Sequence, residues 1–287
     1  MLSVKKVDHI SQASPDFRRQ LDLLEKLLGF SFLHEFRENP GSGFIGGTAQ
    51  VRGTGIEWEV IEPSGPESFV QRFLDERGPA LHHITIEVDD IHEAAAELER
   101  LGVKPFGGVV DDGMWHVTYI HPKDSGGVLY QLFVPHTFYH DPPKRGGPGI
   151  VGLNRIDHVS IASRDRDAQA EWQQRIFGME ELARWEDDQA GYKACVMSIP
   201  NSKLKFEIME PTRPDSFVQK FIDTRGPGMH HVCCEVESVD RAAEALRREG
   251  IEPFGGIIES DWRRHTFIHP RDSGGVLFQL FEEPGER

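Results

Sequence analysis

No run of apolar residues in this 287-residue chain is long enough to cross a bilayer as a helix. The stretch from Met1 to His9 has no apolar core of the kind a secretory signal carries, so a cytoplasmic location is expected. Cysteine is scarce as well. The three residues Cys195, Cys233 and Cys234 all fall in the second half, and no Cys-x-x-Cys pair occurs. That pattern excludes a disulfide framework or a zinc knot and suits a reducing compartment. Positive charge is short too. Lys and Arg number 32 against 47 Asp and Glu, a formal charge of -15. No nucleic acid and no membrane partner is expected, because neutralising phosphates takes a basic surface. A highly anionic substrate would need a local basic pocket to override that field.

What the chain does have is a long repeat. His121-Pro-Lys-Asp-Ser-Gly-Gly-Val-Leu-Tyr-Gln-Leu-Phe133 returns as His269-Pro-Arg-Asp-Ser-Gly-Gly-Val-Leu-Phe-Gln-Leu-Phe281. The block from Ser68 to His83 returns from Ser216 to His231. Both recur 148 residues on (269 less 121, and 216 less 68). A repeat of that length is a duplicated domain rather than a solenoid unit. The expected division is a first domain over 1–137, a Pro/Gly-rich linker over 138–152 and a second domain over 153–287.

Each copy divides again. Val7 to Ile10 opens a strand, and Asp16 to Leu28 has helical spacing, with Leu21, Leu24, Leu27 and Leu28 on one face. Gly29 then stands where a helix ends. A strand over Ile56–Glu62 and a linking helix over Glu67–Asp75 follow. After them come a strand over His83–Val88, a helix over Ile91–Leu101 and strands over His116–Ile120 and Val128–Phe133. Each quarter reads β-α-β-β-β, so the fold class is α+β, four βαβββ modules with mostly antiparallel strands.

Four polar residues survive in both copies beside the apolar framework: His9, Glu59, His83 and Gln131, then His158, Glu207, His231 and Gln279. Alone, each has a bland account as a solvated strand residue or a satisfied core histidine. Together they recur at strand positions otherwise filled by apolar residues. Burying an unpaired charge there costs several kcal/mol, and a divalent cation would satisfy the whole group. His82 and His230 alternate to the opposite face and are expected to pack. His121 and His269 precede Pro in a turn and are expected to be structural. His116 and Arg264 occupy matching positions from which either could reach a substrate, and Cys233 shares the face of His231.

A βαβββ module with a histidine in its first strand and an acid or amide in its last resembles the vicinal oxygen chelate superfamily, which includes glyoxalases, bleomycin-resistance proteins and extradiol dioxygenases. Each half most resembles methylmalonyl-CoA epimerase. The likeness rests on Val7-Asp-His-Ile10, Arg37-Glu-Asn-Pro40, Glu59-Val-Ile-Glu-Pro63, Leu81-His-His83, Glu87-Val-Asp-Asp-Ile91 and the block opening at His121. The resemblance implies two tandem domains, each pairing two modules around one metal ion, with a ligand from the first and last strand of each module. The ligands would be His9, Glu59, His83 and Gln131 in one domain and His158, Glu207, His231 and Gln279 in the other. Two departures stand out. The epimerase pattern has its amide second and its carboxylate fourth, and here the two are exchanged. Gly46 and Ala194 occupy the position of the epimerase's second catalytic glutamate.

Two imidazoles and a carboxylate suit Fe, Mn, Co, Ni or Zn as divalent ions better than Mg or Ca, which prefer oxygen shells. Two ions per chain are expected. With the amide as fourth ligand, two open positions remain for neighbouring oxygens of a small-molecule substrate. That arrangement favours Lewis-acid proton transfer by an isomerase, epimerase or lyase. Glu59 and Glu207 are the least arbitrary general bases. With the amide off the metal, three open positions would admit dioxygen, and an Fe(II) ring-cleaving or 2-oxo-acid dioxygenase becomes the alternative. A third reading is a small-molecule binding protein without turnover. A monomer or a homodimer is expected.

Overall fold

The chain alternates turn-forming and strand-forming stretches four times over, and each repetition folds as one module. The structure is a computed structural model describing residues 1–36, 43–111, 113, 115–136, 147–260 and 263–283. The first module comprises β1 (Val4–Ala13), α1 (Phe17–Leu28), β2 (Ser31–Phe36), β3 (Phe44–Gln50) and β4 (Glu57–Pro63). A linking helix α2 (Phe69–Arg77) leads to β5 (Ala80–Val88), α3 (Ile91–Arg100), β6 (Phe106–Asp111), β7 (Trp115–Ile120) and β8 (Leu129–Pro135). The third module is β9 (Leu153–Ala162), α4 (Arg166–Phe177), β10 (Glu180–Asp187), β11 (Tyr192–Ser198) and β12 (Lys205–Pro211). After α5 (Phe217–Arg225) comes the fourth: β13 (Gly228–Val236), α6 (Val239–Arg248), β14 (Phe254–Ser260), β15 (Arg263–Ile268) and β16 (Phe278–Glu282). This is the expected α+β fold of four βαβββ modules.

The strands make two eight-stranded sheets, ordered β2-β3-β4-β1-β5-β8-β7-β6 and β10-β11-β12-β9-β13-β16-β15-β14. Consecutive strands after each helix pair antiparallel, as in β10–β11–β12. The first and last strands of a module instead run parallel, as β12 does with β9, β8 with β5 and β16 with β13. That parallel pairing sets the first-strand and last-strand residues of a module side by side, and the eight residues singled out above lie on those strands.

Local chemistry fixes the helix limits. Asp16 is extended and accepts from the Arg19 amide, so α1 starts one residue later than its spacing predicts. Its apolar face, Leu21, Leu24, Leu27 and Leu28, is buried as expected, and Gly29 closes it at φ 71°. Ser68 caps α2 by accepting from Val70, which moves that helix two residues along from the expected Glu67–Asp75. The last carbonyls of α1, which no helical turn can satisfy, accept from the C-terminal end of the expected linker: Ile150 N–H donates to Lys26 O (3.1 Å) and Val151 N–H to Leu27 O (3.2 Å). Most of that linker, and Arg37-Glu-Asn-Pro40, lie outside the described residues.

Contacts divide the chain into two compact units that do not follow the repeat. One is built on β6–β8 with β10–β12, the other on β2–β4 with β14–β16. Within the second unit, Gln12 Nε2 donates to Gly274 O (2.7 Å), Gln20 Nε2 donates to Ser273 O (2.9 Å), and Trp58 packs on Phe278 at 5.6 Å. The first unit repeats the pattern, with Gln169 Nε2 donating to Ser125 O (3.1 Å) and Tyr130 packed on Phe177 at 4.9 Å. The paired glycines of the repeated block exist for this packing. A Cβ on Gly127 would stand 2.0 Å from Pro227 O, and one on Gly275 would stand 2.0 Å from Pro79 O.

Candidate metal centres

Strand alternation decides which polar residues turn inward, and it selects the same set in both halves. His9, Glu59 and His83 each offer a ligand atom, and these atoms all lie within 4.8 Å of one another. His158, Glu207 and His231 form the matching group. All eight residues singled out in the sequence are buried, from 1% exposure at His9 to 9% at Gln279. Two imidazoles and a carboxylate converging without solvent form a donor set that fits a first-row divalent ion.

Around the first group, Thr85 on β5 is the connecting residue. Its Oγ1 lies 2.8 Å from His9 Nε2 and 2.8 Å from Gln131 Oε1. A hydroxyl has one proton, so donating to Gln131 makes Thr85 accept from His9 Nε2–H. That N–H is the position an ion would take over. His9 Nδ1 stands 2.9 Å from Asp8 Oδ2. Burial works to raise the Asp8 pKa, but hydrogen bonding and charge from His9, with help from Lys6, outweigh it and hold the carboxyl at about 2. A carboxylate on the far ring nitrogen fixes ring orientation and strengthens the near nitrogen as a ligand. The His9 and His83 rings meet edge-on at 5.6 Å, and Trp115 lies 6.1 Å from His9. Gln131 Nε2 also donates to Tyr119 Oη (3.2 Å).

The second group is dressed differently. Ser160 Oγ donates to Glu207 Oε2 (2.5 Å), and His158 Nε2 lies 3.7 Å from the same oxygen. His231 Nε2 lies 3.2 Å from Gln279 Oε1. Asp157, the counterpart of Asp8, pairs with Arg155. Both amides are thus beside the histidine group of their own half.

The other histidines sort by face. His82 packs against Phe69 and Phe73, and His230 against Phe217 and Phe221; burial pushes both imidazoles down to about 4. His121 Nδ1 accepts from the Lys123 amide and His269 Nδ1 from the Arg271 amide, both at 3.1 Å, which makes them turn residues. His116 and Arg264, either of which could reach a substrate from its sequence position, have charged partners of their own. His116 joins Asp111 and His136, with His136 Nε2 2.8 Å and His116 Nε2 3.2 Å from the Asp111 carboxylate. Arg264 pairs with Asp240, Glu259 and Glu282. The reason is alternation: Trp115 lies beside His9, so the next residue on β7 faces the helix side, near His92. The inward positions are 115 and 263, which sequence reasoning did not single out. It also missed Asp8 and Thr85. The Asp-His pair repeated at Asp157-His158 was the available signal for the first.

The family model described as the glyoxalase/bleomycin resistance protein/dioxygenase superfamily matches residues 8–119 and again 157–267. Human mitochondrial methylmalonyl-CoA epimerase is 28% identical over 134 residues, covering 46% of this chain and 75% of that protein. The 4-hydroxyphenylpyruvate dioxygenase of Yarrowia lipolytica is 23% identical over 269 residues, covering 78% of this chain and 67% of its own length. Among solved structures, a mutant of 4-hydroxymandelate synthase from Streptomyces coelicolor superposes with a TM-score of 0.71 at 17% identity, over 100% of this chain and 94% of that one. The last comparison concerns the fold, and it extends the two-domain architecture over the full length. No helix among the described residues is long and apolar enough to cross a membrane. With one match in each half, and together most of its length, the chain belongs to the glyoxalase/bleomycin resistance protein/dioxygenase superfamily.

Proposed function

We propose that the protein is a divalent-metal-dependent enzyme that holds a small substrate by two vicinal oxygens and moves a proton at the carbon beside a carbonyl, as an isomerase or lyase. The observation that carries this reading is the buried His-Glu-His group occurring twice. His9, Glu59, His83 and Gln131 would hold one ion, and His158, Glu207, His231 and Gln279 the other. A bound ion would supply Lewis-acid polarisation of the two substrate oxygens. The protein's own part is positional. Asp8 orients the His9 ring, Thr85 keeps the Gln131 amide beside it, and burial of the whole group excludes water. Glu59 and Glu207, each released from its ion, would accept the proton as general bases. The epimerase similarity, though confined to half of the chain, supports proton-transfer chemistry.

One observation favours a second reading, an Fe(II) dioxygenase acting on a 2-oxo acid or a ring: the similarity to 4-hydroxyphenylpyruvate dioxygenase runs through both halves. Reconstitution with Co(II) or Mn(II) should give two ions per chain, falling by one in His9→Ala and by one in His158→Ala. The loaded protein is then offered 2-oxo acids, acyl thioesters and catechols in deuterated buffer while oxygen uptake is followed. Proton transfer predicts deuterium at the carbon beside the carbonyl, without oxygen and with either metal, because the ion keeps its oxidation state. Oxygen uptake confined to the Fe(II) protein would install the dioxygenase instead.

A further inference from the structure

The two candidate centres share their first ligands and differ in the wall beside them. In the first half that wall is uncharged: Thr85, Tyr119 and Trp115, the last packed on Phe133 at 4.7 Å. In the second half the corresponding positions, 148 residues on (233 less 85, 267 less 119 and 263 less 115), are Cys233, Phe267 and Arg263. The Arg263 guanidinium lies over the Phe281 ring at 3.7 Å and donates to Cys233 Sγ at 3.5 Å. Cys233 stands directly across from Gln279 in the pairing of β13 with β16, and it is two residues from His231, hence on the same face. Gln279 in turn faces Phe267 across β15. His265 lies between Arg263 and Phe267 on that face and is pushed down to about 4, first by burial and then by the Arg263 charge. A fixed cation therefore stands one side chain away from two of the residues proposed to hold the second ion.

We infer that Arg263 makes the second centre a site for a carboxylate-bearing ligand, whereas the first centre takes an uncharged one. This deepens the function proposed above and rests on it. Two imidazoles, one carboxylate and a dication leave each loaded centre with one net positive charge, and Arg263 raises the second to two. A ligand carboxylate gains from that added charge in a water-poor site, whereas a neutral ligand with the same two oxygens does not. Stacking on the Phe281 ring also holds the planar guanidinium in place, a group whose shape suits carboxylate recognition. The chain carries a formal charge of -15, so an anion needs such a local cation to be retained.

The test uses Co(II)-loaded full-length protein, with His9→Ala to leave the second centre alone and His158→Ala to leave the first. Visible absorption reports ligand entry at the ion. Pyruvate and pyruvamide are the probes, since they present neighbouring oxygens alike and differ in charge. The second centre should prefer pyruvate over pyruvamide at least tenfold more strongly than the first does. Arg263→Gln should weaken pyruvate about tenfold or more and pyruvamide less than twofold, and Arg263→Lys should recover part of the loss. Arg263→Trp, which copies the first half, should behave as Arg263→Gln does with an unchanged metal count. Equal losses for both probes, or no loss, overturn the inference while leaving the metal reading intact. Absence of Co(II) at the second centre overturns both, and the metal count taken before any probe is added tells the two failures apart.

Discussion

Among the four proposed ligands of the first centre, Glu59 carries the only negative charge. His83 and Gln131 are neutral donors, and His9 becomes one when an ion replaces its Nε2 proton. An ionised oxygen binds a dication far more strongly than an amide oxygen does. Glu59→Gln keeps the shape and removes the charge, so it should lower metal affinity by roughly a hundredfold or more, whereas Gln131→Ala should cost about tenfold or less. Competition against a chelating dye measures both, and equal losses would show that the anion has been placed at the wrong residue. The convergence of these residues was legible because a duplicated chain displays twice which polar residues it keeps. What was not legible was facing at one-residue precision. Asp8 is adjacent to His9, and alternation alone would send it away; its carboxylate nonetheless reaches back to Nδ1 at 2.9 Å. Position 116 drew notice because histidine is chemically conspicuous, while the inward neighbour Trp115 looked like ordinary core.

At the scale of elements, the block His121–Phe133 served in the sequence as a marker of kinship, and its structural reason is a close approach of two backbones. Gly127 sits at φ 99° and Gly275 at φ 104°, each against a proline carbonyl from another module. Gly127→Ala adds left-handed strain to a collision with backbone, which cannot move aside cheaply. It should destabilise the protein by about 2–4 kcal/mol. Gly102 gives the control: its φ is 79°, and nothing lies within 4 Å of an added Cβ. Gly102→Ala should cost only the strain, about 1 kcal/mol. Thermal melts of the two variants decide it, and equal shifts would remove the backbone collision as the reason for the glycine. Helix limits were legible to within two residues. At the N-terminal ends the difference came from caps: Asp16 and Ser68 fall inside the expected helices, yet their side chains are occupied in accepting from the first turn.

At the scale of the whole molecule, duplication suggests two self-sufficient domains, and the packing inside each compact unit argues against self-sufficiency. Trp58 from the first half closes on Phe278 from the second, and Tyr130 from the first closes on Phe177 from the second. All four rings are fully buried, and burial of such a ring contributes roughly 2–3 kcal/mol. The polar links follow the same plan, with Gln20 bonded to Ser273 O and Gln169 to Ser125 O. A trace of this was present in the sequence, since a glutamine recurs on the buried face of both α1 and α4, where an apolar residue would serve a self-contained core. A recurring amide on that face has to meet a polar partner, and the partner's location on the other repeat is a tertiary fact that periodicity does not carry. Residues 1–137 produced alone would expose Trp58, Tyr130 and the glycine-rich loop at once. They should self-associate or aggregate, whereas co-expression with residues 138–287 should yield a one-to-one complex with the melting behaviour of the intact chain. Light scattering coupled to gel filtration reads the masses. A monodisperse monomer of either half, melting cooperatively, would mean that the contacts between repeats are dispensable and that each domain folds by itself.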